Sequence, residues 1–276
     1  MQLGRFKITP IEFGHFRLDG GAMFGVIPRV LWERYHPADE KNTIDMVMRA
    51  MMIEVDERKI LVDTGFGEGR REKFRKIYSF RGSDNFVDDA LNAAGTSREM
   101  ITDVIVTHLH FDHAGGSTID KETNPKPAFP NATYYIQKRQ LEHARSGMER
   151  DKASYLREDF EPLIDSGAVE IVDGEWQLLN GIDTIICNGH TPGMQLVRVR
   201  SGGKTLVYAA DLFPLAVQFN FPWIMAYDLY PVTTLEEKKR ILNQAVEEDW
   251  TFFFEHDPEW ITGKPVRTNK GYGLKV

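Results

Sequence analysis

The chain has 276 residues, 42% of them hydrophobic and 11% aromatic, with 34 Lys and Arg against 41 Asp and Glu for a formal net charge of -7. A chain of this length buries about three quarters of its unfolded surface, enough for a substantial core. The acidic balance argues against nucleic acid as substrate, because phosphate recognition relies on a basic face.

Cys187 is the only cysteine, so a disulfide within the chain and a metal site made of thiolates alone are both excluded. Cys187 reads as a small hydrophobe in a strand, in a reducing compartment. The first ten residues lack a continuous apolar core and a small-residue cleavage site, and no apolar run reaches the ~18 residues of a membrane span. A cytoplasmic protein that does not enter the membrane is expected.

Taken in chain order, Val47–Val55 and Ile60–Gly65 are apolar runs joined by the polar turn Asp56-Glu-Arg-Lys, an antiparallel hairpin. Ser83 can cap a helix that buries Phe86, Val87, Ala90, Leu91 and Ala94 and is closed by Gly95. Residues 117–130, rich in Pro, Lys and Asn, read as a surface loop, and helices are expected near 137–145 and 154–164. A second hairpin joins Gln195–Arg200 to Thr205–Asp211 through Ser201-Gly-Gly-Lys. The second strand of each hairpin is short, apolar and ends in an aspartate, Asp63 or Asp211, a faint internal echo. Thr234 and Glu237 form a capping-box pattern ahead of Ile241, Leu242, Ala245 and Val246. No composition break divides the chain, which predicts one domain over 1–276, of α+β class, with mixed sheets covered by helices.

Chemistry concentrates in Val104-Ile-Val-Thr-His-Leu-His-Phe-Asp-His-Ala-Gly-Gly. Residues two apart on an extended chain point the same way, so His108 and His110 can reach one metal ion. The turn that follows swings Asp112 and His113 toward a second, and imidazole with carboxylate suits Zn²⁺. Four ligands on one turn cannot complete two shells. Three distant candidates lie at strand ends: His190 in Asn188-Gly-His-Thr-Pro-Gly, Asp211 after Thr205–Ala210, and His256 after Phe252-Phe-Phe-Glu.

This ordered series resembles the metal-ligand set of the metallo-β-lactamase superfamily, over most of the chain from Ile60-Leu-Val-Asp-Thr-Gly to Phe254-Glu-His-Asp. The resemblance implies an αββα four-layer sandwich and two zinc ions per chain. His108, His110 and His190 would hold the first ion, Asp112, His113 and His256 the second, and Asp211 would bridge them. Asp63 matches an aspartate that supports the ligand loop by hydrogen bonding. Within the superfamily the chain is similar to quorum-quenching N-acyl-homoserine lactone lactonases, through Leu18-Asp-Gly-Gly-Ala-Met-Phe-Gly, Thr107–Gly116, Gly189-His-Thr-Pro-Gly and Phe254-Glu-His-Asp-Pro. One position departs. Such lactonases often carry a tyrosine three residues after the bridging aspartate, where this chain has Pro214; Tyr227 and Tyr230 are the candidates to replace it.

The resemblance thus implies a hydrolase that attacks a small-molecule lactone or ester with a hydroxide shared by the metals, Asp112 carrying a proton to the leaving alkoxide. Phosphotriester, phosphodiester and thioester hydrolysis are the alternatives on the same ligands. The di-iron oxidoreductase branch usually replaces the second histidine with glutamate, and His110 is intact. His15, His36 and His143 read as surface or packing residues, and Met46, Met48, Met51 and Met52 as core filling. Phe219, Phe221 and Trp223, with Met23, Phe24 and Trp32, either line an acyl-chain pocket or serve core or homodimer packing.

Overall fold

The computed structural model describes residues 1–70, 72–121, 123–269 and 271–275. The chain opens with β1 (Gln2–Leu3) and the long β2 (Phe6–Asp19), crosses two short helices, α1 (Gly20–Phe24) and α2 (Arg29–Trp32), and returns along β3 (Thr43–Val55). A two-residue turn with Asp56 at φ 52° leads into β4 (Arg58–Val62). After α3 (Glu72–Ile77) and α4 (Phe86–Ala93), β5 (Asp103–Ile105) adds parallel to β4. A one-turn helix, α5 (Phe111–Ala114), and a two-stranded ribbon, β6 (Thr118–Ile119) with β7 (Lys126–Pro127), follow. β8 (Thr133–Gln137), α6 (Lys138–Ser146), α7 (Glu161–Asp165) and β9 (Val169–Val172) complete a first sheet of order β1-β2-β3-β4-β5-β8-β9.

The second sheet takes β10 (Gln177–Leu179), β11 (Ile182–Cys187), β12 (Met194–Ser201), β13 (Lys204–Tyr208), β14 (Thr251–Phe253), β15 (Thr262–Thr268) and β16 (Gly271–Lys275), in sequence order. Its β12–β13 hairpin turns on Gly202 and Gly203, both left-handed at φ 59° and 71°, which only glycine adopts without strain and which matches the twist of the strands. The long helix α8 (Pro231–Glu247) joins β13 to β14.

Period-two alternation sorts the first sheet into two faces. Met51, Ile53, Ile60, Val62, Ile105 and Tyr135 pack with the second sheet and with Ile241, Leu242 and Ala245 of α8. The intervening Met48, Met52, Leu61, Val104, Tyr134 and Ile136 face the other way, against Phe86, Val87 and Leu91 of α4, Leu141 of α6 and Leu163 of α7. Helices, sheet, sheet, helix gives the αββα order expected from the sequence. Cys187 is fully buried at the end of β11.

Both expected hairpins form, while several helix boundaries move. Ser83 does not cap α4, which starts after Asn85, and its hydroxyl binds Asp89 instead at 2.6 Å. The expected helix at 154–164 is broken into 3₁₀ turns at 152–154 and 157–159 followed by α7. The break keeps Pro162 in a first turn, where its missing N–H costs nothing. Thr234 and Glu237 lie inside α8, which begins at Pro231, so they form no capping box. The Glu237 carboxylate instead accepts from the Asn188 and Gly189 N–H groups at 2.7 and 3.1 Å, fixing the turn before His190.

Arg49 on β3 ties the two sheets together. It is 2% exposed. Its guanidinium donates to Glu12 Oε1 at 2.8 Å on the first sheet, and to the carbonyls of Phe254 and Asp257 at 2.9 and 3.1 Å on either side of His256. Arg49→Met removes these bonds and leaves two buried carbonyls unpaired. We expect a loss of about 3 kcal/mol and a fall in Tm of roughly 5–10 °C by calorimetry.

Candidate metal centre

The seven residues singled out in the sequence meet where the loops after β5, β11, β13 and β14 converge. All are at most 8% exposed. His108, His110, His190 and Asp211 place one ligand atom each within 4.8 Å of the others, and Asp112, His113 and His256 form a second such group. In the first group His110 Nδ1 lies 3.1 Å from both His108 Nε2 and His190 Nε2, and His190 Nε2 lies 3.2 Å from Asp211 Oδ2. In the second, His256 Nε2 is 3.3 Å from His113 Nε2, and each is 3.9 Å from Asp112 Oδ2. Asp211 reaches both, with Oδ2 at 3.5 Å from His113 Nε2 and Oδ1 at 3.5 Å from His256 Nε2.

These separations suit a cation. Tetrahedral ligands at 2.0–2.1 Å stand about 3.3 Å apart, close to the spacings here. Asp211 Oδ1 is buried without a hydrogen-bond partner, which is costly unless an ion balances the charge. Burial first, then the neighbouring imidazoles, hold His108 and His110 well below the ordinary histidine range, so both present neutral lone pairs. His256 is lowered by burial. Burial also opposes charge on His113 and His190, but the surrounding carboxylates outweigh it and raise both. For Asp211 burial is outweighed by His113 and His190, and its carboxyl is held below the usual carboxylate range.

The second nitrogen of most of these rings is pinned, which fixes the ring and its tautomer. His108 Nδ1 meets Thr107 Oγ1 at 3.0 Å, and His256 Nδ1 meets the Val47 carbonyl at 3.0 Å. Asp63 accepts from Thr107 N and Oγ1 at 2.7 and 2.6 Å and faces His113 Nδ1 at 3.1 Å. Two partners were not foreseen. Asp228 Oδ1 meets His190 Nδ1 at 2.8 Å, and Glu255 Oε2 lies 3.0 Å from His113 Nδ1. Glu255 had a signal, since neighbours on an extended segment point to opposite sides and His256 faces the metal group. Asp228 sits in an irregular loop with no pattern to mark it.

The backbone bends sharply to bring these groups in. Asp63 and Ala210 are left-handed at φ 60° and 42°, strained for residues with a Cβ. A Cβ at Gly116 would stand 2.2 Å from the Thr64 carbonyl, so only glycine lets the ligand turn pack beneath β4.

A cavity of about 250 Å³ opens over the cluster, lined by His110, Asp112, His190, Asp211 and His256 on its floor. The rest of its lining is apolar at Leu18, Met23, Met46, Phe111 and Met225 and polar at Tyr78, Arg150, Asp151, Ser154 and Tyr227. Of the six residues read as either acyl pocket or core and dimer packing, Met23 lines this cavity. Phe24 and Trp32 stack on each other behind it at 5.1 Å, and Trp223 packs edge-on to Phe24. Phe219 is fully buried against Phe213 and Phe252, and Phe221 packs on Tyr272. Phe219, Phe221 and Trp223 all lie off the cavity, since the 3₁₀ turn at 216–219 turns Phe219 into the core. Met46 fills core and cavity wall together. Tyr227 lines the cavity, whereas Tyr230 is 45% exposed and outside it. His15 is a surface residue paired with Asp45, His36 packs on Phe24, and His143 pairs with Asp151 at 2.7 Å. No helix among the described residues is long and apolar enough to cross a membrane.

A family model of the metallo-beta-lactamase superfamily matches residues 49–256, and the chain belongs to that superfamily. It is a metal-dependent hydrolase of that group. An N-acyl homoserine lactonase from Bacillus sp is 27% identical over 241 residues, covering 81% of this chain and 86% of that protein. The structure of a probable metal-dependent hydrolase from Staphylococcus aureus matches with a TM-score of 0.91 at 26% identity, over 100% of this chain and 97% of that one. AidC, described as a dizinc quorum-quenching lactonase, shares the fold with a TM-score of 0.81 at 22% identity, over 100% of this chain and 95% of its own.

Asp228 has one partner in the cluster, so its removal acts on His190 alone. Asp228→Asn should weaken binding of one divalent ion per chain by about 10- to 100-fold and leave the other unchanged, read by calorimetric titration of chelator-treated protein.

Proposed function

We propose that this chain is a dinuclear-zinc hydrolase that opens the lactone ring of N-acyl-homoserine lactones or a closely similar ester. The observation that carries the reading is the pair of ligand groups, with Asp211 in reach of both, beneath one cavity lined by apolar and polar side chains. His108, His110 and His190 would hold one ion and Asp112, His113 and His256 the other, with Asp211 within reach of both groups. Two Zn²⁺ ions, when bound, activate water near neutral pH and polarise a carbonyl, so no serine or cysteine nucleophile is required.

The chain's own groups do the remaining work. Asp112 stands on the cavity floor, with no protein hydrogen bond to its carboxylate among the described residues. It accepts the proton released as the ester carbonyl is attacked, and returns it to the ring oxygen as the C–O bond breaks. Tyr78 and Tyr227 line the same cavity, and their phenols have no hydrogen-bond partner among the described residues. Burial first, with the Asp112 charge among the further causes, raises both phenols, so they remain donors at neutral pH. Tyr227 takes the place of the tyrosine absent at Pro214 and holds the carbonyl oxygen of the substrate. The apolar wall of Leu18, Met23, Met46 and Met225 receives an acyl chain.

Basic residues would favour an anionic phosphodiester, but among the described residues Arg150 is the only Arg or Lys lining the cavity. A neutral ester fits that wall better. Zinc-loaded protein should release a proton per turnover from N-acyl-homoserine lactones, with kcat/KM at least 100-fold above that for a phosphotriester or a glutathione thioester. A preference for either rival would overturn the lactone reading. Asp112→Asn should lower kcat by about 100-fold or more while metal remains bound; an unchanged kcat removes Asp112 from the proton path. Tyr227→Phe should lower kcat/KM by about 10-fold, mostly through the loss of one hydrogen bond.

A further inference from the structure

Of the five histidines in the cluster, His110 alone has a second ring nitrogen with no anchor among the described residues. Its Nδ1 faces His108 and His190, while its Nε2 is buried without a hydrogen-bond partner. A ligand ring with an unpinned nitrogen keeps its orientation only where packing supplies what the hydrogen bond does not. A chain of buried side chains stands in that place. The Tyr155 ring packs on the His110 ring with centroids 4.8 Å apart. Its phenol oxygen lies 2.6 Å from Thr191 Oγ1. Gln140 Nε2 donates to the same Thr191 oxygen at 3.1 Å and to the Pro192 carbonyl at 2.8 Å, and Gln140 Oε1 accepts from the Leu109 N–H at 3.3 Å. Leu109 lies between His108 and His110, and Thr191 follows His190. Gln140, Thr191 and Tyr155 are all buried.

We infer that Gln140, Thr191 and Tyr155 act together as positioning residues for one ion of the pair. They hold the His110 ring by packing, and they fix the turn that carries His108 and His110 against the turn that carries His190. The bridge needs an acceptor for an N–H on one turn and a donor for a carbonyl and a hydroxyl on the other, and a carboxamide offers both from one side chain. Helix α6 is seated closely enough to supply it: a Cβ at Gly193 would stand 2.9 Å from the Gln140 amide nitrogen. No hydrogen bond joins Gln140, Thr191 or Tyr155 to Asp112, His113 or His256 among the described residues. The effect is therefore confined to the ion that His108, His110 and His190 would hold. The inference rests on the two-ion reading and adds what governs the affinity of one of the two.

Thr191→Val keeps the outline of the side chain and removes both of its hydrogen bonds. Calorimetric titration of the chelator-treated variant with Zn²⁺ should show one of the two binding steps weakened about 10- to 100-fold and the other unchanged. The visible d–d absorption of the Co²⁺-loaded variant should change as well, because the donor arrangement around one ion has altered. Thr191→Ser restores the hydroxyl and should return the weakened step to within about 3-fold of wild type. Tyr155→Phe leaves the ring on His110 but frees it from Thr191. It should weaken the same step by about 3- to 10-fold, and it stands as the test if Thr191→Val does not fold. Variants that bind both ions as the wild type does, that lose both steps equally, or that Thr191→Ser does not rescue overturn the assignment and leave the two-ion reading intact. Wild-type protein that binds fewer than two ions per chain overturns both.

Discussion

Five imidazoles and two carboxylates occupy one water-poor space at the seam of two sheets, and most of the surrounding structure answers to that crowding. Without a cation the arrangement is unfavourable. The rings lower one another's basicity, and Asp211 keeps a buried oxygen with no partner. The protein meets the cost by fixing most of the second ring nitrogens from outside the cluster, through Thr107, Val47, Asp228, Asp63 and Glu255. These supports come from both sheets. His256 arrives from the second sheet, yet its Nδ1 rests on the Val47 carbonyl of β3, and Arg49 on the same strand holds the backbone on either side of it. Positioning of the ligands and cohesion of the two halves are therefore one set of contacts.

The internal echo between the two hairpins has a structural counterpart. β3 and β4 are antiparallel and β5 joins β4 in parallel; β12 and β13 are antiparallel and β14 joins β13 in parallel. In each trio the middle strand ends at an aspartate beside a left-handed residue, with Asp63 itself at φ 60° and Ala210 before Asp211 at φ 42°. The third strand of each trio leads to histidine, His108 after β5 and His256 after β14. Carboxyl ends of neighbouring parallel strands open onto the same edge. Two such trios, placed face to face, deliver acids and imidazoles to one point. The two aspartates differ in use: Asp211 enters the ligand group, whereas Asp63 is consumed by Thr107 and His113 Nδ1.

That geometry explains why the seven clustered residues were legible in the sequence as candidates. Each follows an apolar strand, and a polar ligand type at a strand end is a local signal. The supports were legible only where they shared that signal, as Asp63 did. Asp228 is fixed by the path of a loop across the β11 turn, and nothing within a few residues of it foretells that path. Helix boundaries failed for a related reason. Glu237 has the right spacing for a capping box, but tertiary contact with Asn188 and Gly189 uses its carboxylate more fully than its own helix could. Aromatic composition marked Phe219–Trp223 as pocket-like, while burial against Phe213, Phe252 and Phe24 places most of it behind the wall.

The division of labour that results has a physical cause. Strand ends are held by ladders on both sides, so groups there stand within a few tenths of an ångström of a required spacing, and metal ligation tolerates little more. Most of the polar residues that line the cavity above the cluster come instead from connections. Tyr78 follows α3, Asp151 and Ser154 follow α6, and Tyr227 lies between a 3₁₀ turn and α8. None of these segments contributes a ligand atom to the metal groups. Changing one of them alters which molecule fits while the reaction class stays with the strand ends. For this chain the reaction class follows from the seven converging side chains, and the shape and polarity of the space above them are set by the residues that line the cavity.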